Sequence, residues 1–298
     1  MAFFFLFYFF IFLGVPKSEA FIRATGARSE ASAKNCQGVD PVAELSTKTE
    51  TATSLTRKLL GMPKIPLLLE LKKMTEDAVS KLTPPQKKFY EENIVISCEE
   101  SVASAGRTVT QSGNEWKGLR RLRFTGSKIY EQHTYIKNKK ADWDKRCKSL
   151  YHSTFNGDED TLHGIIHEPL ARASYSTESE MQVAENGVFI NPDLPWLGYS
   201  ADGVVIDSEG NPQWLIEIKC PIVGKASPAS ELFNLAPCCD KKTKKLKRKH
   251  NYYGQVQLGM LLMGPDRCDL ILYSSLGDTF AFEVILFDET FVMNLITR

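Results

Sequence analysis

The segment LIEIKCP at residues 215–221 constrains the fold more than any other stretch of this chain. Its apolar residues are typical of a buried β-strand, and Pro221 ends the run because proline cannot donate to a strand ladder. Side chains two positions apart share one face of a strand, so Glu217 and Lys219 project together while the isoleucines pack on the opposite face. The sequence therefore predicts a buried strand that carries a carboxylate and an ammonium group side by side.

The flanking sequence alternates between strand-like and helix-like segments. Short apolar, β-branched and aromatic runs predict strands, whereas apolar residues at helical spacing predict helices. The predicted strands are 182–190, 197–206, 213–219, 268–275 and 279–287, and the predicted helices are 161–175, 250–263 and a final helix from 288. In the first of these helices, Ile165, Leu170 and Ala173 are expected to face the core. The pattern favours an α/β fold, a mixed central β-sheet flanked by α-helices.

Asp202 lies in YSADG, at the end of the strand that precedes LIEIKCP. Pairing of these two strands would bring its carboxylate beside Glu217. Two such carboxylates suit Mg²⁺, which keeps several waters and needs only one or two protein carboxylates. Lys219 beside such an ion fits metal-assisted phosphodiester hydrolysis, in which a lysine orients the nucleophile and offsets developing charge. Taken alone, Glu217 and Lys219 are more simply explained as an ion pair on one strand face.

Five short motifs follow one another in order between residue 116 and the C-terminus. They are WKGLRRLRFTGS, HGIIHE, LGYSADG, EIKCP and YYGQVQ. In this order they resemble the YqaJ-type viral recombinase and phage lambda exonuclease group of the PD-(D/E)xK nucleases. The resemblance implies a restriction-endonuclease-like core, a Mg²⁺-dependent deoxyribonuclease activity, and DNA as the partner.

The resemblance also assigns roles to individual residues. Asp202, Glu217 and Glu168 match the metal ligands, and Lys219 matches the catalytic lysine. Gln255 matches a catalytic glutamine that helps to place the attacking water. Gln257 cannot share its helix face, because two positions on a helix lie about 200° apart, and is expected to pack or to reach solvent. The alternative for Glu168 is an ordinary solvated carboxylate on a helix.

Further matches concern nucleic-acid binding. Arg120 matches an arginine that contacts the phosphate at the DNA end, and Ser127 lies beside it at a predicted helix start, a natural phosphate cradle. The alternatives are that Arg120 is a surface residue, or that Arg121 or Arg123 fills the role. Ser200 and Tyr252 are expected to support the site. The phage enzyme has one more acidic residue near the metal, for which NPDLPW offers only Asp193, a poor candidate.

A lysine-rich stretch, KKTKKLKRK at 241–249, precedes the glutamine helix. The net charge of the chain is only +1, so any polyanion has to be held by a local basic patch. Lys245, Lys247 and Arg248 are therefore predicted to contact the nucleic-acid backbone, with an affinity that falls steeply with salt. A solvated loop or a localisation signal is the alternative.

The N-terminal third is less informative. Residues 1–20 contain the apolar run FFFLFYFFIFL, too short to span a bilayer, followed by small residues at the spacing of a signal-peptide cleavage site. Residues 21–90 are predicted to be a linker with short helices, disordered over 21–54, and 91–298 to be the nuclease domain. The nucleus or cytoplasm would suit the predicted function, whereas the apolar run would suit the secretory pathway.

The preferred hypothesis is a Mg²⁺-dependent nuclease, with Mn²⁺ able to substitute, that acts as an exonuclease on double-stranded DNA ends. The preference for ends comes from the resemblance alone, as does compatibility with a homo-oligomer. No small-molecule cofactor is expected. The alternatives are a nucleic-acid-binding remnant without catalysis and a secreted degradative nuclease. The seven cysteines, an odd number without zinc-ligand spacing, predict neither a disulfide framework nor a zinc finger.

Overall fold

The computed structural model describes residues 41–151 and 158–297, so the signal-like segment 1–20 lies outside the described residues. The helices in these ranges are α1 (Pro41–Gly61), α2 (Pro66–Ser80), α3 (Pro84–Asn93), α4 (Cys98–Arg107), α5 (Gly113–Arg121), α6 (Gly126–Tyr135), α7 (Trp143–Tyr151), α8 (Glu159–Ser179), α9 (Ala229–Leu235), α10 (Asn251–Met263) and α11 (Glu289–Thr297). None of these helices combines the length and the apolar character that a bilayer crossing requires.

The strands form one five-stranded sheet and one short pair. Their bounds are β1 (Phe124–Thr125), β2 (Gln182–Ala184), β3 (Leu197–Gly198), β4 (Gly203–Ile206), β5 (Pro212–Lys219), β6 (Arg267–Ser274) and β7 (Thr279–Leu286). The large sheet has the order β2-β4-β5-β6-β7, and β1 pairs with β3 separately. Only the β5–β6 pair of the large sheet is parallel, and α10 lies between these strands in the chain. This mixed sheet with helices on both faces confirms the predicted α/β, restriction-endonuclease-like core.

The two faces of β5 have different partners, as strand alternation requires. Ile216 and Ile218 pack with Ala171 and Tyr175 of α8 on one face. Leu215 packs on the opposite face, in the large core that includes residues of α1, α2 and α10. Glu217 and Lys219 share the face of Leu215, so the charged pair lies between the sheet and α10.

The prediction of a disordered linker is wrong for residues 41–54, because this segment belongs to α1. Ala52, Leu55 and Leu59 are buried along one side of α1, and the last two belong to the large core together with Leu71 of α2. Alanine, serine, threonine and charged residues make up most of residues 42–54, which explains why composition alone suggested disorder.

The strand 197–206 that the sequence predicts is interrupted. Leu197 and Gly198 pair with β1, whereas β4 begins only at Gly203. The predicted strand 182–190 is likewise regular only over β2, after which Phe189 makes an isolated bridge to Tyr199. The remaining predicted elements of this half occur within a few residues of their predicted bounds, as expected for strongly periodic segments.

The prediction of which face of α8 points to the core is wrong. Ile165 is 65% exposed, and Leu170 and Ala173 are exposed as well. The buried residues are His163, Ala171 and Tyr175. Two polar contacts fix the orientation of α8 about its own axis. Nδ1 of His163 lies 2.9 Å from the carbonyl oxygen of Cys220, and the Tyr175 hydroxyl donates to Asp269 at 2.6 Å.

Candidate active site

Glu217 is the centre of the site and is completely buried near the C-terminal end of β5. Lys219, two positions along the same strand face, donates to its Oε1 atom. The Gln255 side chain on α10 donates to the same oxygen at 2.5 Å, and the Tyr199 hydroxyl donates to Oε2 at 2.9 Å. Both oxygens of this carboxylate are therefore held by side chains from three separate segments.

Asp202 occupies the break between β3 and β4. Its Oδ2 atom accepts a hydrogen bond from the backbone N–H of Ile218 at 2.7 Å, which fixes the carboxylate beside β5. The same oxygen lies 4.0 Å from Nζ of Lys219. The interruption of the strand thus lets Asp202 turn toward the neighbouring strand, as the predicted pairing with Glu217 requires.

Lys219 is enclosed by negative charge and by an aromatic ring. Its ammonium group lies 4.8 Å from the centre of the Tyr252 ring, a cation–π arrangement. Burial alone would lower the pKa of Lys219, but the Glu217 and Asp202 carboxylates outweigh burial and raise it. The lysine is therefore a fixed positive charge in this site at neutral pH.

Glu168 approaches from α8, on the other side of the sheet. It is tied to Arg172 one turn later on α8, whose Nη2 atom donates to Glu168 Oε1 at 2.6 Å. Arg172 also donates to the backbone oxygen of Asp202 at 2.6 Å and lies 3.2 Å from Glu185. One guanidinium group therefore joins α8, the residue after β2, and the break before β4.

The site carries closely spaced acidic groups. Burial and the nearby Asp202 carboxylate raise the pKa of Glu217 to about 7. Burial followed by the same Asp202 charge also raises the pKa of Glu168 to about 7, against the opposing effect of Arg172. Carboxyl groups whose pKa is raised by burial and by a neighbouring carboxylate are typical of functional sites.

The carboxylates are engaged by cations of the chain. Within residues 41–151 and 158–297, no three histidine, cysteine or acidic side chains form a group that could hold a metal ion as they stand. Asp202 and Glu217 nevertheless offer hard oxygen ligands of the type Mg²⁺ prefers, and their mutual repulsion shows that the site favours added positive charge. In Glu168, the Oε1 atom is engaged by Arg172.

Arg120, at the end of α5, lies above the start of α6. Its guanidinium group lies 4.3 Å from the centre of the Trp116 ring and donates to the hydroxyls of Ser200, at 3.2 Å, and Ser127, at 3.4 Å. The structure therefore brings three predicted nucleic-acid-binding residues together. Of the two alternative arginines, Arg123 is buried and donates to three backbone oxygens, which is a structural role.

A cleft of about 510 Å³ opens beside Glu168 and Lys219. Glu168, Lys219 and Tyr252 line it, together with the loop that follows β5 and with Cys238. A ligand that enters the cleft from outside the sheet can therefore reach the Glu168 carboxylate and the Lys219 ammonium group.

The sequence matches a family model described as the YqaJ-like viral recombinase domain, over residues 115–265. The chain belongs to this family. All five motifs and every residue of the site described above lie within the matched range. No curated protein matches the chain.

The YqaJ-like domain also has similar solved structures. One is an alkaline exonuclease, LHK-Exo, from Laribacter hongkongensis, with 26% identity, a TM-score of 0.47, and coverage of 61% of this chain and 87% of that chain. A phage-related exonuclease from Haemophilus somnus has 15% identity, a TM-score of 0.41, and coverage of 58% and 88%. A KSHV SOX–RNA complex has 11% identity, a TM-score of 0.44, and coverage of 85% and 92%.

The lysine-rich stretch 241–249, hereafter the basic loop, lies at one edge of the YqaJ-like domain. Its base is a bridge between Cys239 and Leu246, and the Leu246 N–H donates to Glu283 at 2.7 Å. Lys245 is exposed, and Lys247 donates through Nζ to the backbone oxygen of Pro237 at 2.7 Å while remaining exposed. Arg248 differs from both, because it forms an ion pair with Asp288.

Sequence reasoning missed two residues that shape the site of this YqaJ-like domain. Arg172 follows Glu168 by four positions, a spacing at which side chains on a helix meet, and this signal could have identified it. Tyr199 precedes the SAD motif and is completely enclosed, and burial raises its pKa well above the usual value.

Asp193, the poor candidate for a further acid, is paired with Lys64 and Lys72 of the N-terminal helices and their connection. Gln257 is buried and donates to the backbone oxygen of Leu286, which agrees with the first of the two alternatives, packing rather than reaching solvent.

Proposed function

We propose that this chain is a metal-dependent nuclease that hydrolyses DNA phosphodiester bonds and acts as an exonuclease at duplex ends. The observation that supports this most directly is the convergence of Asp202, Glu217, Lys219 and Gln255 at the end of β5. Membership of the YqaJ-like viral recombinase domain family supports a DNA exonuclease type of function. The preference for duplex ends rests on the family resemblance alone.

The proposed ion is Mg²⁺, with Mn²⁺ as a substitute, held by Asp202 and Glu217 and completed by Glu168. When bound, such an ion polarises a phosphoryl oxygen and makes a nearby water easier to deprotonate. Lys219 keeps its charge at neutral pH because the two carboxylates raise its pKa, so it can offset the negative charge of a phosphate in the cleft. Gln255 would keep the Glu217 carboxylate oriented while also offering an amide to a water.

The arginine at the end of α5 is proposed to bind a phosphate. Burial lowers the pKa of Arg120, which leaves the group cationic because its usual value is so high. The hydroxyls of Ser127 and Ser200 are within reach of the same guanidinium group, and Thr125, the residue before α6, makes no side-chain cap. A phosphate could therefore accept from Arg120, from a serine hydroxyl, and from free N–H groups of the helix start.

The test uses the purified full chain and linear duplex DNA labelled at its ends. With Mg²⁺, we expect release of labelled nucleotides from the linear duplex and no cutting of a covalently closed circle of the same sequence. Lys219→Ala should lower the rate by about 10²–10⁴-fold, the usual effect of removing a preorganised charged group. Lys225→Ala is the matched control, because that lysine is exposed and paired with Glu159. Equal rates for the two variants, or equal rates with a metal chelator, would exclude the proposal.

A second candidate is a nucleic-acid-binding protein without turnover. It is favoured by the way the cations of the chain occupy the carboxylates: Lys219 is bound to Glu217, and Arg172 to Glu168. In this case the full chain would bind duplex DNA in a shift assay and release no nucleotide with any divalent ion. The cellular location and the oligomeric state stay predictions.

A further inference from the structure

Two cysteines follow each other directly between α9 and the basic loop. The Sγ atoms of Cys238 and Cys239 lie 3.6 Å apart. The residues are only 5% and 1% exposed, so both thiols are held in fixed surroundings. A disulfide has an S–S distance of about 2.0 Å, so the two sulfur atoms need to approach by less than the width of one atom.

The two thiols have different surroundings. Cys238 lines the cleft beside Lys219, and a reagent in the cleft can therefore reach it. The hydrogen bond with Cys239 lowers the pKa of Cys238, and the charges of Lys219 and Lys247 act in the same direction. Cys239 lies deeper, and the same hydrogen bond together with burial raises its pKa. Cys238 is therefore the more reactive nucleophile and Cys239 the thiol that resolves the product.

We propose that Cys238 and Cys239 form a dithiol site for two-electron oxidants of the peroxide class, which convert it into a disulfide between adjacent residues. The Cys238 thiolate attacks one peroxide oxygen, the O–O bond breaks, and a sulfenic acid and one water result after protonation. Cys239 then attacks the Cys238 sulfur, the S–O bond breaks, and a second water leaves. Two thiols thus lose two electrons and two protons, and peroxide is reduced to two waters.

Closing this disulfide acts on the base of the basic loop. The carbonyl of Cys238 accepts from the N–H of Lys247 at 3.0 Å, and the N–H of Cys239 donates to the carbonyl of Ala236 at 3.0 Å. The ring that forms contains the peptide bond between the two cysteines, so both of these backbone groups have to turn. The hydrogen bond from the Lys247 N–H links the dithiol directly to the basic loop. Oxidation should weaken this bond and so make the positions of the loop lysines less fixed.

The test treats the reduced full chain with a limited amount of hydrogen peroxide and then maps the thiols by mass spectrometry. We expect the peptide that contains both cysteines to lose the mass of two hydrogen atoms and to regain it with dithiothreitol. Affinity for duplex DNA should fall about three- to tenfold on oxidation, as expected when one or two contacts are lost, and should recover with the reductant. This second effect rests on the proposed function, whereas the change in mass does not.

Three variants show which thiols form the disulfide and whether that disulfide causes the loss of DNA affinity. Cys238→Ser and Cys239→Ser should each abolish the loss of two hydrogen atoms. Cys238→Ser should also bind duplex DNA with the same affinity before and after treatment with peroxide. Cys98→Ser is the control, since Cys98 is exposed on another part of the chain, and it should respond like the unchanged protein. The inference is overturned if peroxide oxidises Cys98 while Cys238 and Cys239 stay free, or if the disulfide forms without a change in affinity. Failure of the reduced chain to bind DNA would instead count against the proposed function.

Discussion

Replacing Arg172 with alanine should destabilise the fold far more than a normal surface ion pair would suggest. The guanidinium group makes three polar contacts, at 2.6 Å to Glu168, 2.6 Å to the Asp202 carbonyl and 3.2 Å to Glu185, and its side chain is only 13% exposed. Hydrogen bonds to charged groups contribute about 1.5–3 kcal/mol each, but both glutamates reach solvent and can be rehydrated. We therefore expect Arg172→Ala to lower the free energy of unfolding by about 3 kcal/mol, close to the cost of breaking a buried ion pair.

Arg107 provides a matched control for this measurement. It also contacts two glutamates, Glu100 at 2.5 Å and Glu115 at 2.8 Å, but its side chain is 45% exposed. Arg107→Ala should cost only about 0–1 kcal/mol, the usual contribution of an exposed pair. Urea unfolding at pH 7 in the absence of divalent ions compares the two variants under identical conditions. Equal losses for both would refute the reasoning, because partial burial would then add nothing to the contribution of Arg172.

Three further predictions concern individual groups. Tyr199→Phe removes the hydroxyl that donates to the buried Glu217 and should cost about 1–3 kcal/mol by urea unfolding. The pKa of Glu217 in the fold, about 7, lies above its usual value of 4.5, so this group supports stability fully below pH 4.5 and loses that support as the pH rises through 7. In the metal-free chain Glu217→Gln should therefore flatten the fall in melting temperature between pH 5 and 8, and an unchanged fall would contradict this. Lys245→Ala should reduce the slope of log affinity for DNA against log salt by about 1, whereas Arg248→Ala, which removes a partner of Asp288, should change it less.

Sequence reasoning predicted the parts of the site that depend on local periodicity. Strand alternation was sufficient to place Glu217 and Lys219 on one face, because neither residue depends on a distant contact for its direction. Helical geometry was sufficient to separate Gln255, which contacts Glu217, from Gln257, which bonds to the backbone of β7.

The features that sequence reasoning missed depend on contacts between elements. The rotation of α8 is set by Tyr175, whose bond to Asp269 involves a residue 94 positions away, and no local pattern reports it. The apolar residues at 165 and 170 suggested another face and are exposed instead. The break at Asp202 likewise depends on the N–H of Ile218 on the next strand. Polar contacts across the sheet therefore decided both features against simple periodicity.

The predicted start of the nuclease domain at residue 91 leads to a last experiment, because the helices before it belong to the same core. Leu59 of α1 and Leu68 of α2 belong to the same hydrophobic core as Leu261 and Leu262 of α10. The Trp196 ring N–H donates to the Thr75 hydroxyl of α2 at 3.1 Å.

Deleting residues 1–90 would uncover Trp196, Leu261, Leu262 and Met263, each at most 3% exposed in the intact fold. Fully exposing an apolar side chain of this size costs about 1.5–3 kcal/mol, so exposing the four together costs at most roughly 6–12 kcal/mol. Domains of this kind are stable by only about 5–15 kcal/mol, so we expect the fragment 91–298 to lose cooperative thermal unfolding. The fragment 41–298 keeps both helices and serves as the control, with a cooperative transition expected by circular dichroism. Cooperative melting of 91–298 near the temperature of 41–298 would mean that α1 and α2 cover this surface without stabilising it.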